Sequence, residues 1–198
     1  MANLIVIFVG SALINNVVLM RFLGICPYLG VSKTLTMAKG MGAAVIFVMT
    51  ISSMVTWVLQ HYVLAEYGIE YLQTVAFILV IATLVQFVEM VMLRYSPALY
   101  RALGVFLPLI TTNCAIMGIA LLNITGGYSF IETVAHALGA GLGFILAIVL
   151  FAGIRERLAR ADVPRPLQGT PIALVVAALM SMAFMGFTGF GVAELFGF

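Results

Sequence analysis

Apolar runs of about twenty residues or more, nearly free of charge, recur six times along the chain, and no other feature limits its fold as sharply. They cover about 4 to 31, 40 to 60, 71 to 93, 102 to 124, 133 to 154 and 169 to 193. A hydrocarbon core of about 30 Å takes roughly 20 apolar residues as a helix, so each run is long enough to span it. The strands of a membrane barrel would alternate apolar and polar side chains over about ten residues, a pattern these runs lack. Only 8% of the 198 residues are charged, against about 25% in soluble domains. The expectation is an all-α, multi-pass membrane protein whose short connections leave no room for a soluble domain, so that 1–198 forms a single integral membrane domain.

Charge then orients the spans. Outside the runs, Lys33 and Lys39 follow segment 1, Arg94 and Arg101 separate segments 3 and 4, and Arg155, Arg157, Arg160 and Arg165 separate segments 5 and 6. The opposite connections carry Glu66, Glu70, Glu132 and Glu194 without a cation. By the positive-inside rule the basic loops face the cytoplasm and both termini lie on the outer, periplasmic side. The first twenty residues hold no Lys or Arg, so the basic start of a cleavable signal is missing and segment 1 is expected to stay as a helix. The net charge of +2 is explained by this loop pattern, and no nucleic-acid partner is expected.

Three segments per half give the halves opposite orientations, the layout of inverted-topology repeats over about 1–95 and 96–198. Cys26 in CPYLG and Cys114 in CAIMG are the two cysteines of the chain, and each is followed four residues later by glycine, Gly30 or Gly118. Segment 1 is some eight residues longer than a perpendicular helix needs. Gly24, Pro27 and Gly30 can break it, and Pro108, Thr111, Thr112, Asn113 and Gly118 can break segment 4. The first and fourth helices are therefore expected to be discontinuous. Within lipid such breaks survive only against protein or a cavity, and paired breaks point to a site near the bilayer midplane.

Each break carries a thiol. A cysteine in a membrane helix can be a small apolar filler, and two cysteines can form a disulfide. Their pairing by the repeat, each at a helix break, favours metal ligation. An iron–sulfur cluster or a structural zinc takes four ligands. The only histidines, His61 and His136, fall near the outer surface, too far in depth to complete a set. The missing ligands are expected from a second chain built on the same plan.

LGICPYLGVSK, YRALGVFLPLITTNCAIMGIALLN, IRERLARADVP and ALMSMAFMGFTG together resemble the A-subunit family of the Rnf (Rsx) ion-translocating electron-transport complexes, over essentially the whole chain. The same stretches are similar to the homologous D and E subunits of the sodium-translocating NADH:quinone oxidoreductase, but ALLNI and SPALYRALG fit the Rnf branch better. The resemblance implies a six-helix subunit of the bacterial cytoplasmic (inner) membrane, paired with a homologous Rnf E-type subunit. It implies a [2Fe-2S] cluster shared by the two chains, with Cys26 and Cys114 as this chain's ligands. It also implies other Rnf subunits carrying flavin and iron–sulfur centres, and coupling of ferredoxin/NAD electron transport to Na+ or H+ movement. No dinucleotide fingerprint follows a strand here, so nucleotide chemistry is assigned to those other subunits. The competing expectation is a stand-alone secondary transporter, which shares the inverted-repeat architecture.

Other polar residues take quieter readings. Glu89 lies within segment 3, where an ion-path role competes with snorkelling or with pairing to Arg21 or Arg94. Asn15, Asn16 and Asn113 are expected to hydrogen-bond between helices, and Gly139 and Gly143 to let helices approach closely. Trp57 fits an interfacial anchor. The run IRERLAR marks a cytoplasmic loop and offers a docking edge for a cytoplasmic subunit.

Overall fold

Where no water is available, backbone N–H and C=O groups must pair within their own segment, and every regular element found is helical. The computed structural model describes residues 2–32, 34–95, 110 and 112–189. Lys33, Arg101, Pro108, Thr111 and Glu194 fall outside these, as do the first part of segment 4 and the end of segment 6.

Segment 1 is broken. Helix α1 (Ala2–Val9) widens into a π-turn, Gly10–Ile14, and after an irregular stretch the chain resumes as the short α2, Ile25–Gly30. Segment 2 forms α3, Leu35–Leu59, prolonged by a π-turn at Gln60–Leu64. Segment 3 forms α4, Gln73–Tyr95, and the described part of segment 4 is α5, Cys114–Thr125. Segments 5 and 6 give α6, Phe130–Leu158, and α7, Thr170–Gly189.

Three stretches are long and apolar enough to cross a membrane: Leu35–Tyr67, Gln73–Val91 and Phe130–Leu158. Leu4–Ile14, Cys114–Thr125 and Thr170–Gly186 are apolar but shorter. Among the described residues the order "cysteine-bearing short helix, long helix, third helix" occurs twice, as α2–α3–α4 and α5–α6–α7.

Helix α6 is the pillar of the fold, packed on α3 along one side and on segment 1 along another. Glycines make both approaches possible. A Cβ on Gly141 would sit 2.7 Å from Ile46 Cγ1. One on Gly139 would meet the Phe8 carbonyl oxygen at 2.5 Å, and one on Gly143 that of Ala12 at 2.6 Å. The packing expected of Gly139 and Gly143 is what they do. The core gathers Met41, Val45, Met49, Ile116, Phe144, Ile148 and Phe151.

Asn16 is wholly buried where segment 1 leaves its helix. Its Oδ1 accepts from the Val18 and Leu19 amides at 3.0 and 3.3 Å, and its Nδ2 donates to the Gly143 carbonyl at 2.8 Å. The expected interhelical bond is there, with a second task added: replacing the pairing that the break removes. Asn16→Ala would leave these buried groups unsatisfied, at about 1–3 kcal/mol each. The expected result is a marked fall in thermal stability of the detergent-solubilised subunit, read by a melting curve.

The two ends of the bundle are tied differently. At one end, Arg155 donates from one guanidinium nitrogen to the Leu29 carbonyl at 2.8 Å and the Ser32 hydroxyl at 2.9 Å, while a Glu156 oxygen accepts from the Leu35 amide at 3.0 Å. At the other, Trp57 Nε1 donates to the Tyr128 carbonyl at 2.9 Å and the indole stacks on His61. Trp57 thus clamps α3 to the α5–α6 connection in addition to any interfacial role. Arg155 proves to be a cap for α2, not merely a loop charge. Arg155→Gln is expected to loosen residues 29–35, since hydrogen bonds from a charged group contribute about 1.5–3 kcal/mol. Faster amide exchange confined to that stretch is the measurement.

Candidate metal-binding site at the two helix breaks

The irregular stretch of segment 1 turns on two left-handed residues, Phe22 at φ 55° and Gly24 at φ 81°. Glycine takes that conformation freely, whereas for Phe22 it costs roughly 1–2 kcal/mol, so the surroundings hold the turn in place. Gly24 caps α2, Cys26 is that helix's second residue, and Pro27 follows in the first turn, where its missing N–H would have lacked a helical partner anyway. The α2 helix then buries Tyr28, stacked on Phe151 with ring centroids 4.2 Å apart.

In segment 4 the described helix opens on a side-chain cap. Asn113 is extended, and its Oδ1 accepts from the Ala115 amide at 3.0 Å, which makes it the N-cap of α5. This corrects the interhelical role expected of Asn113: its carbonyl oxygen is used locally, as asparagine at a helix start favours. Its Nδ2 is buried with no partner among the described residues. Cys114 is the first residue of α5.

The two breaks touch. The Gly24 amide donates to Cys114 Sγ across 2.9 Å. A Cβ on Gly24 would lie 3.0 Å from Phe144 and 3.1 Å from Ala115, and Leu23 packs over Gly118. Phe144 is the middle residue of the 29 that make up α6. A helix of that length extends about 43 Å, and the meeting point lies about half-way along it.

Both cysteines are unbonded and exposed. They form no disulfide, and neither is a buried filler, the two dull readings of a membrane cysteine. Each stands in the first turn of its helix. Thiolates are soft ligands suited to iron–sulfur clusters and zinc. Two are half of a set, and among the described residues no group of three or more His, Cys, Asp and Glu could hold a metal. The donor set fits one side of a shared site.

The histidines stand apart. His61 stacks on Trp57, and His136 Nδ1 lies 2.6 Å from Asn123 Oδ1. A hollow of about 250 Å³ on that side is lined by Asn15, Arg21, Tyr128 and His136 among others. Glu89 is half-buried on α4 and has partners of its own. The Gly24–Cys114 bond and the Arg155 cap escape sequence reading, because both join residues about 90 or more positions apart. Asn113 directly before an apolar helical run was a visible capping signal.

Comparison with known proteins matches residues 4–191 to the Rnf-Nqr family, described as "Rnf-Nqr subunit, membrane protein". The chain is 59% identical over 189 residues to the A subunit of the ion-translocating oxidoreductase complex of Syntrophotalea carbinolica, covering 96% of this chain and 98% of that one. It is 59% identical over 187 residues to the A subunit of the Na(+)-translocating ferredoxin:NAD(+) oxidoreductase complex of Acetobacterium woodii, covering 94% and 97%. Against the A subunit of the ion-translocating oxidoreductase complex of Serratia proteamaculans the identity is 57% over 189 residues, covering 96% and 98%. With a family match over nearly its whole length and relatives this similar end to end, the chain belongs to the Rnf-Nqr family of membrane subunits.

Proposed function

We propose that this chain is the A-type membrane subunit of an ion-translocating ferredoxin:NAD oxidoreductase in a bacterial cytoplasmic membrane, and that Cys26 and Cys114 supply half the ligands of a [2Fe-2S] cluster. The observation that carries the reading is the Gly24 N–H···Sγ bond to Cys114, which sets the backbone two residues before Cys26 against the Cys114 sulfur, with both thiols exposed. Near-full-length identity to the A subunits of such complexes supports the setting.

Cys26 and Cys114 would provide two thiolates, and a homologous E-type subunit the other two, across a two-fold related face. When bound, the cluster supplies a one-electron carrier that divides a hydrocarbon core of about 30 Å into two steps of about 15 Å. Phe144, Ala115 and Leu23 pack against Gly24 and Gly118 beside the breaks. Six spans in two inverted repeats, with both termini outside and the basic loops in the cytoplasm, give each break the same depth from opposite sides. An added electron held there by Cys26 and Cys114 with their partners would alter the charge between two half-bundles, and so would bias whichever of two states interacts better with it. That is the route by which electron transfer would drive Na+ or H+ movement.

Iron and acid-labile sulfide content, with the electron paramagnetic resonance spectrum after reduction, tests the assignment in the purified complex with and without Cys26→Ser. Loss of about two irons and of one reduced-cluster signal per complex is expected. Unchanged iron and spectrum would overturn it. Substrate flux through the isolated, iron-free chain would instead favour a stand-alone transporter.

A further inference from the structure

The Cys114 sulfur has a fixed backbone partner, and the choice of residue at that partner is narrow. Gly24 donates its amide at 2.9 Å from a left-handed conformation, φ 81°, in a space where a Cβ would press on Phe144, Ala115 and the Asn113 side chain at 3.0 to 3.3 Å. Neither the conformation nor the space accepts a larger residue without the turn shifting. Pro27, Tyr28 and the Arg155 cap anchor the far side of the same turn. The amide is therefore aimed at the sulfur by both neighbouring segments.

A hydrogen bond to a ligating sulfur stabilises the more negative, reduced form of the centre, and this is one of the main controls on cluster potential. We propose that Gly24 is a positioning residue whose amide holds the Cys114 sulfur and raises the reduction potential of the centre it ligates. This rests on the assignment of Cys114 as a cluster ligand. The bond is a direct polar contact between the two breaks.

Two measurements on the assembled complex test it. In the wild-type complex labelled with 15N-glycine and reduced with dithionite, pulsed paramagnetic resonance is expected to show a weak 15N coupling that is absent with 14N-glycine. In Gly24→Ala the potential is expected to fall, so that the reduced-to-oxidised ratio at the wild-type midpoint drops about tenfold, equivalent to about 59 mV for one electron. A cluster signal without glycine coupling, or an unchanged midpoint in Gly24→Ala, overturns the proposal while leaving the ligand assignment standing. Absence from the wild type of a reduced-cluster signal that Cys26→Ser abolishes defeats the ligand assignment itself. Should Gly24→Ala fail to assemble, the labelled wild-type spectrum alone decides.

Discussion

A complex carrying Cys114→Ser is expected to assemble and yet lose electron-driven ion uptake. Serine is nearly isosteric, so the cap at Asn113 and the packing of Ile116 and Ala115 stay in place. What changes is the ligand atom. A hydroxyl is hard and stays protonated at neutral pH, whereas iron in such clusters is held by thiolate. Replacing an outer-shell partner of a metal site already costs about 10–100-fold in affinity or activity, and loss of a direct ligand is expected to reach or exceed the upper end of that range. Ferredoxin-dependent NAD reduction should fall at least about 100-fold, with sodium or proton uptake into vesicles falling in parallel. Uptake that continues undiminished while electrons are supplied would sever the proposed link between the cluster site and transport. Retention of both activities with full iron would remove Cys114 from the site.

The largest expected effect on stability comes from the seam between α6 and segment 1. In Gly139→Ala/Gly143→Ala, two methyl groups would be pushed against the Phe8 and Ala12 carbonyl oxygens, at 2.5 and 2.6 Å. These are backbone atoms of a neighbouring helix and cannot swing aside as a side chain can. Overpacking of this kind typically costs about 1–3 kcal/mol per site, so the pair is expected to cost roughly 2–6 kcal/mol. Gly143 also presents the carbonyl that receives the Asn16 side chain, so displacement of segment 1 would break that bond as well. The expected result is poor recovery of the subunit from membranes and a much lower melting temperature. Gly153→Ala in the same helix is the control. Nothing lies within 4 Å of a Cβ there, and better helix propensity should leave stability equal or raised by up to about 1 kcal/mol. Equal behaviour of the double variant and the control would show that the seam tolerates a wider gap.

The readable part of this protein was the part governed by solvent. Apolar length named α3, α4 and α6, with the ends of these α-helices within about five residues of those expected, because a bilayer imposes a minimum length on a helix that crosses it. Gly24 marked the end of the break in segment 1, whereas Pro27 and Gly30 lie within α2 and the irregular stretch begins upstream at Asn15. The repeated cysteine and glycine spacing singled out Cys26 and Cys114 without any contact being visible.

Tertiary structure decided what those residues meet. That Gly24 faces the Cys114 sulfur, that Asn16 bridges to Gly143 while capping its own turn, and that Arg155 closes α2 follow from where helices cross. Asn113 turned inward to cap α5 for the same reason: an orphan amide next to it in the chain offered a closer partner than any other helix. Hydropathy is a sum over a window and survives in sequence, whereas a hydrogen bond between segments depends on the depth and rotation of two helices, which only packing fixes.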